Sequence, residues 1–181
     1  MMRELSLHLL DVAQNSVTAG ARHIDLTVEE DEVKVCRMVI ADDGCGMSPE
    51  FLAQVTDPFA TTRTTRKVGL GLALLRMTAE QTGGTLQIES QEGVGTTVTA
   101  LFHTSHIDCP PLGDLSGTAA LLIQGAPHVE WTWRRTTPKG SYVLDTCQLR
   151  EILGPDVPLS EASVALWIRA YLQEQEESIQ M

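Results

Sequence analysis

Asp11 and Asn15 are polar residues four positions apart in a largely apolar stretch near the start of the chain. Residues at this spacing lie on the same face of a helix, so both side chains would point in one direction. A carboxylate can orient and deprotonate a water molecule, and an amide oxygen can coordinate a hard cation such as Mg²⁺. The pair is therefore a candidate for metal-assisted chemistry. Taken alone, it is more simply interpreted as a solvated helix face.

A second candidate is the run Asp42-Asp43-Gly44-Cys45-Gly46-Met47, which directly follows an apolar segment. Its glycines allow the backbone to bend closely around a ligand. A carboxylate at the end of a strand can accept a hydrogen bond from an exocyclic amine. Asp and Gly are also common in ordinary turns, so a plain turn is the alternative interpretation.

A third candidate is the segment 61–72, in which Gly69 and Gly71 open a predicted helix. Unpaired N–H groups and the positive end of the dipole make a helix N-terminus suitable for phosphate. The preceding loop adds the cations Arg63, Arg66 and Lys67. The segment contains neither a Walker motif nor the third glycine of a dinucleotide fingerprint. An ordinary polar loop capped by glycine is the alternative.

Apolar periodicity predicts the elements that would position these residues. In chain order they are a helix at 5–19, strands at 23–28 and 33–41, helices at 50–56 and 70–81, and strands at 85–90 and 96–103. A loop at 57–67 separates the two short helices. This order predicts an α+β sandwich, with one sheet covered by helices on one face.

The composition changes after Cys109-Pro110-Pro111, which suggests a boundary between a first unit at 1–108 and a small α+β C-terminal subdomain at 109–181. In the second unit we predict strands at 119–123, 129–135 and 142–144, and helices at 146–153 and 160–174, with a fraying acidic end at 174–177. All three tryptophans, Trp131, Trp133 and Trp167, lie here. An unstructured tail would not need them, so we expect this part to be ordered.

The chain has 181 residues, with 13 Lys+Arg against 24 Asp+Glu and a formal net charge of −11. This acidity argues against binding to nucleic acid or to an anionic membrane. The segment 61–77 is an exception, because it has four basic residues and no acidic ones. Such a segment suits a compact anion bound together with Mg²⁺. The N-terminus lacks the apolar core of a signal peptide, so we predict a cytoplasmic protein.

The motifs, in this order and spacing, resemble those of the GHKL superfamily of gyrase, heat-shock chaperone, histidine kinase and MutL ATPases, which has the Bergerat fold. LLDVAQNSVTAGA is similar to the N box, and DDGCGM is similar to the first glycine box. DPFATTRTTRKVGLGLALL resembles the phenylalanine box, lid and second glycine box of histidine kinases. TGGTLQIESQEGVGTTVTALF is similar to their closing strands. The resemblance covers residues 4–103.

The resemblance implies a site for ATP and Mg²⁺. Asn15 would hold Mg²⁺ and Asp42 would accept the adenine amine, while Asp11 falls where the family usually has its general base, Glu. Gly44 and Gly46 would shape the adenine pocket. The phosphates would lie against Gly69 and Gly71, near Lys67, which replaces a glycine common in the family. The other implied nucleotide contacts are Met47, Phe59, Thr61, Thr62, Arg66, Val68, Leu70, Leu72 and Thr96. Because Asp is one methylene shorter than Glu, the resemblance leaves the reach of Asp11 to an attacking water open.

The N box begins close to Met1, so we do not expect this chain to carry the phosphoacceptor hairpin of a complete sensor kinase. The first functional hypothesis is a kinase-type ATP-binding protein that acts on a partner protein, by phosphoryl transfer or nucleotide-gated binding, as anti-sigma-factor kinases do. The alternatives are an ATP-hydrolysing clamp of MutL or gyrase type and a non-catalytic, nucleotide-responsive interaction module. The tryptophan-containing tail could contact the partner or simply extend the core. A homodimer is also possible.

Overall fold

The computed structural model describes residues 2–56 and 69–180. The helices are α1 (Leu5–Thr18), α2 (Pro49–Thr56), α3 (Gly69–Gln81), α4 (Leu115–Gly125), α5 (Thr146–Leu153) and α6 (Ala162–Gln180). The strands are β1 (His23–Glu30), β2 (Val35–Asp42), β3 (Thr85–Gln91), β4 (Gly95–His103), β5 (Glu130–Thr137) and β6 (Gly140–Asp145). The whole of the loop predicted at 57–67, together with residue 68, lies outside the described residues.

One six-stranded sheet has the order β3-β4-β2-β1-β5-β6. Neighbouring strands are antiparallel except for β1 and β5, which are parallel. The predicted β1–β2 hairpin is present, and its register pairs Ile24 with Asp42. On the other side of β2, Asp42 pairs with Thr96 of β4. Two of the predicted site residues are therefore neighbours across the sheet.

The strands bury alternate residues, as expected when helices cover one face of a sheet. The buried set includes Ile24, Leu26, Val28, Cys36, Met38, Ile40, Val98, Ala100 and Phe102. On the opposite face, Arg37 pairs with Glu29 and Arg134 pairs with Asp25 at partly exposed positions. This arrangement confirms the predicted α+β sandwich.

The C-terminal residues extend this sheet, because β5 pairs in parallel with β1 and β6 pairs with β5. Buried side chains from both sides of residue 108 form one continuous core. Trp131 and Trp133 lie in it, and their indole N–H groups donate to the Ala126 carbonyl and the Tyr142 hydroxyl. The division of the chain at residue 109 stays a prediction. The composition change there does not interrupt the sheet or the core.

The strand predicted at Ala119–Ile123 was wrong, since these residues lie within α4. Asp114 caps this helix by accepting a hydrogen bond from the Gly117 N–H at 2.7 Å. Most residues of α4 are buried between α1 and α6, so its apolar run continues around the helix. Periodicity cannot distinguish such a helix from a buried strand.

The predicted fraying at 174–177 was also wrong, because α6 continues to Gln180. Glu176 accepts from the Arg135 guanidinium at 3.1 Å and from the Tyr142 hydroxyl at 2.6 Å. Arg135 is only 1% exposed and also pairs with Glu30. This buried ion cluster attaches the end of α6 to β1, β5 and β6.

The start of α1 is attached to the segment that follows β4. The backbone N–H groups of Leu5 and Ser6 donate to the carbonyls of Pro111 and Leu112, each at 2.9 Å. Two N–H groups that a free helix end leaves unpaired are thereby satisfied. Since α4 also packs on α1, residues beyond 108 help to position the helix that carries Asp11 and Asn15. Within the described residues, no helix is long and apolar enough to cross a bilayer.

Candidate functional site

Asp42 is the last residue of β2, and two hydrogen bonds hold its half-buried side chain in place. The Ser16 hydroxyl donates to its Oδ2 at 2.5 Å, and the Gly44 N–H donates to its Oδ1 at 2.9 Å. A carboxylate has about four lone-pair positions, so both oxygens keep room for another donor. The site therefore has a fixed carboxylate that can accept a hydrogen bond from a ligand.

The neighbouring carboxylate, Asp43, is occupied locally. It accepts from the backbone N–H groups of Arg22 and His23 at 2.7 and 2.9 Å, and it contacts the His23 ring at 3.0 Å. Desolvation raises the pKa of Asp43, but the hydrogen bonds from His23 and Arg22 outweigh it and leave the pKa below its ordinary value. Asp43 thus ties the loop to the start of β1, and Asp42 is the carboxylate available for a ligand.

The loop after β2 lies between α1 and the β3–β4 turn. The Cys45 N–H donates to the Ala19 carbonyl at 3.0 Å, and the Cys45 carbonyl accepts from Gly93 at 2.7 Å. Gly46 has φ +66°, and a Cβ built there would overlap the carbonyl of Gln91. Only glycine fits this left-handed, closely packed position without displacing the backbone.

Met47 and Thr96 are joined through Ser90 of β3. The Met47 N–H donates to the Ser90 hydroxyl at 2.8 Å, and the hydroxyls of Ser90 and Thr96 lie 2.8 Å apart. Because Thr96 is paired with Asp42, its side chain lies at the same end of the sheet. The structure therefore brings Thr96 next to the local group Asp42, Gly44, Gly46 and Met47, about 50 residues earlier in the chain.

Asp11 and Asn15 are half-buried on α1, and Asp11 faces the first turns of α3. A Cβ built on Gly71 would overlap the Oδ2 atom of Asp11, so the missing side chain allows this close approach. Backbone N–H groups in the first turn of a helix have no partner within the helix. A carboxylate, an amide and a helix N-terminus therefore lie next to one another.

Two of the predicted contact residues in α3 differ in accessibility. The Leu70 side chain is 70% exposed, whereas Leu72 is 4% exposed and belongs to the core. Leu72 can therefore contact a ligand only through its backbone. The predicted residues Phe59, Thr61, Thr62, Arg66, Lys67 and Val68 lie outside the described part of the chain, and their roles stay predictions.

Sequence reasoning assigned no role to Ser16 or Ser90, which organise the site through hydrogen bonds. Ser16 directly follows Asn15, and this proximity is the one signal in the sequence that could have identified it. Its partner Asp42 lies 26 residues further along the chain, so the contact exists only in the fold. Ser90 gives no local signal, because it is one polar residue in a strand.

His8 on α1 is deeply buried, with 1% of its surface exposed. Its Nε2 atom lies 3.0 Å from the Thr78 hydroxyl on α3. Desolvation lowers the pKa of His8, and the negative charge of Asp11 opposes this effect only in part. The neutral imidazole is therefore favoured between α1 and α3.

Known proteins resemble this chain over part of its length. The chain is 37% identical over 93 residues to the sensor histidine kinase ZraS of Escherichia coli K12, covering 50% of this chain and 20% of ZraS. It is 36% identical over 101 residues to the sensor protein SrrB of Staphylococcus aureus NCTC 8325, covering 53% of this chain and 17% of SrrB. The chain thus matches about a fifth of the length of each relative.

A crystal structure of the N-terminal domain of a DNA repair protein has a TM-score of 0.50 and 17% identity, covering 80% of this chain and 53% of that one. At this identity the likeness shows the fold alone. The family model described as histidine kinase-, DNA gyrase B-, and HSP90-like ATPase matches residues 2–106, which is more than half of the chain. This protein therefore belongs to the histidine kinase-, DNA gyrase B- and HSP90-like ATPase family.

Proposed function

We propose that the chain binds Mg-ATP and uses it to act on a partner protein, by phosphoryl transfer or by nucleotide-gated binding. The observation that carries this proposal is the Asp42 carboxylate, held by Ser16 and Gly44 with acceptor capacity to spare. The exocyclic amine of adenine is a donor of the right kind for this carboxylate. Guanine would present a carbonyl oxygen at the same position and would be repelled. The proposed base is therefore adenine.

The proposed phosphate site is the N-terminal turn of α3, at Gly69 and Gly71. The N–H groups of this turn have no partner within the helix, and together with the positive end of the helix dipole they favour a polyphosphate. Lys67 and Arg66 would add positive charge from the segment that precedes the helix. This proposal explains why the basic stretch of a strongly acidic chain immediately precedes α3.

Asn15 is the proposed protein ligand of Mg²⁺. Mg²⁺ commonly takes one or two protein ligands together with substrate phosphates and water, rather than a protein cage. The described residues contain no cluster of three or more His, Cys, Asp or Glu side chains that could hold a metal. A single amide beside the phosphate site fits a cation that arrives with the nucleotide. The bound Mg²⁺ would neutralise phosphate charge.

Asp11 is the proposed general base, which would orient the nucleophile and accept its proton. The contact with Gly71 supports this role, because it brings the proposed phosphate site directly to the Asp11 carboxylate. This close approach helps to offset the methylene by which Asp is shorter than Glu. Asp42 would then bind the adenine of ATP, while Asp11 and Asn15 would act at the phosphate end of the nucleotide.

The experiment is a pull-down with and without ATP, followed by incubation of the captured partner with γ-labelled ATP. Label on the partner supports phosphoryl transfer, and ATP-dependent capture without label supports nucleotide-gated binding. Label appearing only as free phosphate would indicate a hydrolytic clamp instead. If ATP does not change the capture of the partner and the partner gains no label, the chain does not use ATP on a partner and the proposal is wrong.

Two variants assign the roles of the α1 residues. Asp11→Ala should retain ATP affinity and lose turnover, and Asn15→Ala should abolish the Mg²⁺ dependence of ATP affinity. Asp31→Ala is the matched control for Asp11→Ala, since Asp31 lies in the β1–β2 turn. Equal turnover in wild type and Asp11→Ala would make Asp11 structural. Retained Mg²⁺ dependence in Asn15→Ala would move the metal role to another residue.

A further inference from the structure

His8 is a buried titratable residue to which the proposed function assigns no role. It lies one helical turn before Asp11 on α1, and its Nε2 atom is 3.0 Å from the Thr78 hydroxyl on α3. Its other ring nitrogen, Nδ1, has no hydrogen-bond partner among the residues that the structure describes. Buried polar atoms in folded proteins are normally paired, so this exception calls for an explanation.

The partners of Thr78 determine which ring nitrogen carries the proton. A hydroxyl has one hydrogen to donate, and the Thr78 hydroxyl lies 3.0 Å from the Leu74 carbonyl, which can only accept. If Thr78 donates there, it must accept from His8, so the proton is on Nε2. The opposite tautomer would leave the Leu74 contact without a hydrogen and bury an unpaired N–H at Nδ1. The first arrangement satisfies both contacts.

The link between His8 and Thr78 lies beside a second contact between the same helices. His8 contacts Thr78, and Asp11, one turn later on α1, lies against Gly71. The two helices therefore run in opposite directions where they meet. Helices α1 and α3 are therefore attached at two levels, first by a buried hydrogen bond and then by the contact of Asp11 with Gly71. Of these two attachments, only the hydrogen bond is directional, so it can restrict how α3 turns and slides on α1.

We propose that His8 is a positioning residue, which through Thr78 keeps the N-terminal turn of α3 against the Asp11 carboxylate. This proposal rests on the proposed function, in which that turn binds phosphate and Asp11 acts on it. A hydrocarbon side chain of similar size would fill the same space without the unpaired Nδ1, but it could not form the bond to Thr78. The imidazole thus contributes a directional bond at a point where geometry determines the reaction rate.

Thr78→Val is the decisive variant, because valine keeps the shape of threonine and replaces only its hydroxyl with a methyl group. We expect Mg-ATP turnover to fall about 10- to 100-fold. The Kd for Mg-ATP should change by less than about twofold, a difference of under 0.5 kcal/mol in binding free energy. Thr78→Ser restores the hydroxyl and should recover most of the turnover. His8→Gln, whose amide can donate from nearly the same position as Nε2, should lie between wild type and Thr78→Val.

Equal turnover in Thr78→Val and wild type would overturn the proposal, as would a loss that Thr78→Ser fails to restore. NMR gives two further readouts, of which the Asp11 carbon resonance is the one that a purely structural role would not move. The wild type should show a protonated Nε2 and an unprotonated Nδ1 at His8. The carboxyl carbon resonance of Asp11 should shift in Thr78→Val and return in Thr78→Ser.

The NMR measurement also separates this proposal from the proposed function. If the wild type binds Mg-ATP but neither hydrolyses it nor transfers phosphate, the proposed chemistry fails. A shifted and restored Asp11 resonance would then still support His8 as the residue that positions α3. An unmoved resonance would overturn that role, whatever the turnover.

Discussion

Asp42→Asn tests the proposed adenine contact with the smallest possible change. Asparagine keeps the size of the side chain and one carbonyl oxygen, which can still accept from the Gly44 N–H at about the present 2.9 Å. The second oxygen becomes an NH₂ group and faces the Ser16 hydroxyl, which can rotate to accept from it. An adenine amine that donates at this second position then meets a donor from the protein instead of an acceptor. The variant therefore removes one accepted hydrogen bond and leaves the fold intact.

The size of the effect follows from the charge on the acceptor. A hydrogen bond to an ionised group contributes about 1.5–3 kcal/mol. Since about 1.4 kcal/mol corresponds to a tenfold change in affinity, the Kd for Mg-ATP should rise about 10- to 150-fold. Guanine has a carbonyl oxygen where adenine has its amine, and the new NH₂ group can donate to it. The ratio of the Kd for Mg-GTP to the Kd for Mg-ATP should therefore fall by a larger factor than the ATP affinity does, because GTP binding improves while ATP binding weakens.

The assay is titration calorimetry of wild type and variant with Mg-ATP and with Mg-GTP. Asp43→Asn is the matched control, because Asp43 is the adjacent carboxylate and its contacts are with Arg22 and His23. It should bind ATP like the wild type. An unchanged ATP affinity in Asp42→Asn would refute the adenine assignment. An equal loss in Asp43→Asn would attribute the effect to the loop as a whole.

Three further predictions concern the loop, the core and the buried histidine. Gly46→Ala should weaken Mg-ATP binding in calorimetry and destabilise the protein by about 1–2 kcal/mol, because the new Cβ overlaps a backbone carbonyl at a positive φ. Arg135→Met should reduce the free energy of unfolding in urea by about 3 kcal/mol, since it leaves Glu30 and Glu176 without their buried cation. The free energy of unfolding should also fall as the pH is lowered from about 7.5 to 5.5. Burial holds the pKa of His8 below its ordinary 6.5, so in this range the unfolded chain binds a proton at His8 more readily than the folded protein does.

Each of these predictions has a result that would contradict it. Gly46→Ala with wild-type affinity and stability would mean that the loop shifts without cost. A loss below about 1 kcal/mol in Arg135→Met would mean that water replaces the cation at both carboxylates. For the third, His8→Gln is the control and should flatten the pH dependence. An unchanged slope in that variant would assign the titration to other groups.

The first seven elements could be predicted from the sequence because each has a clear local pattern. The helix at the start of the chain repeats its apolar residues at helical spacing, and the strands alternate. The strand prediction for the segment around Ala119 was wrong because α4 packs between α1 and α6, so its apolar residues continue around the helix. The fraying predicted at the end of α6 was wrong because of a contact between residues distant in the chain. Its acidic residues look solvated until Glu176 meets Arg135, which lies 41 residues earlier in the chain.

The candidate site could likewise be predicted from the sequence only in part. Asp11, Asn15, Asp42 and the glycines were selected from residue type and spacing together with the resemblance to the GHKL superfamily, and their roles stay predictions. Their mutual geometry could not be predicted, because it depends on contacts between residues far apart in the chain.

By itself, the sequence determined the chemical groups of the site and the order in which the chain presents them. Only the tertiary structure showed that Asp43 is engaged by Arg22 and His23, whereas Asp42 keeps acceptor capacity for a ligand. It likewise decided that Ser16 holds that carboxylate, and that Asp11 lies against Gly71. The physical reason is that a hydrogen bond or close contact needs groups within a few ångströms, and the folded sheet and helices alone bring these residues that close.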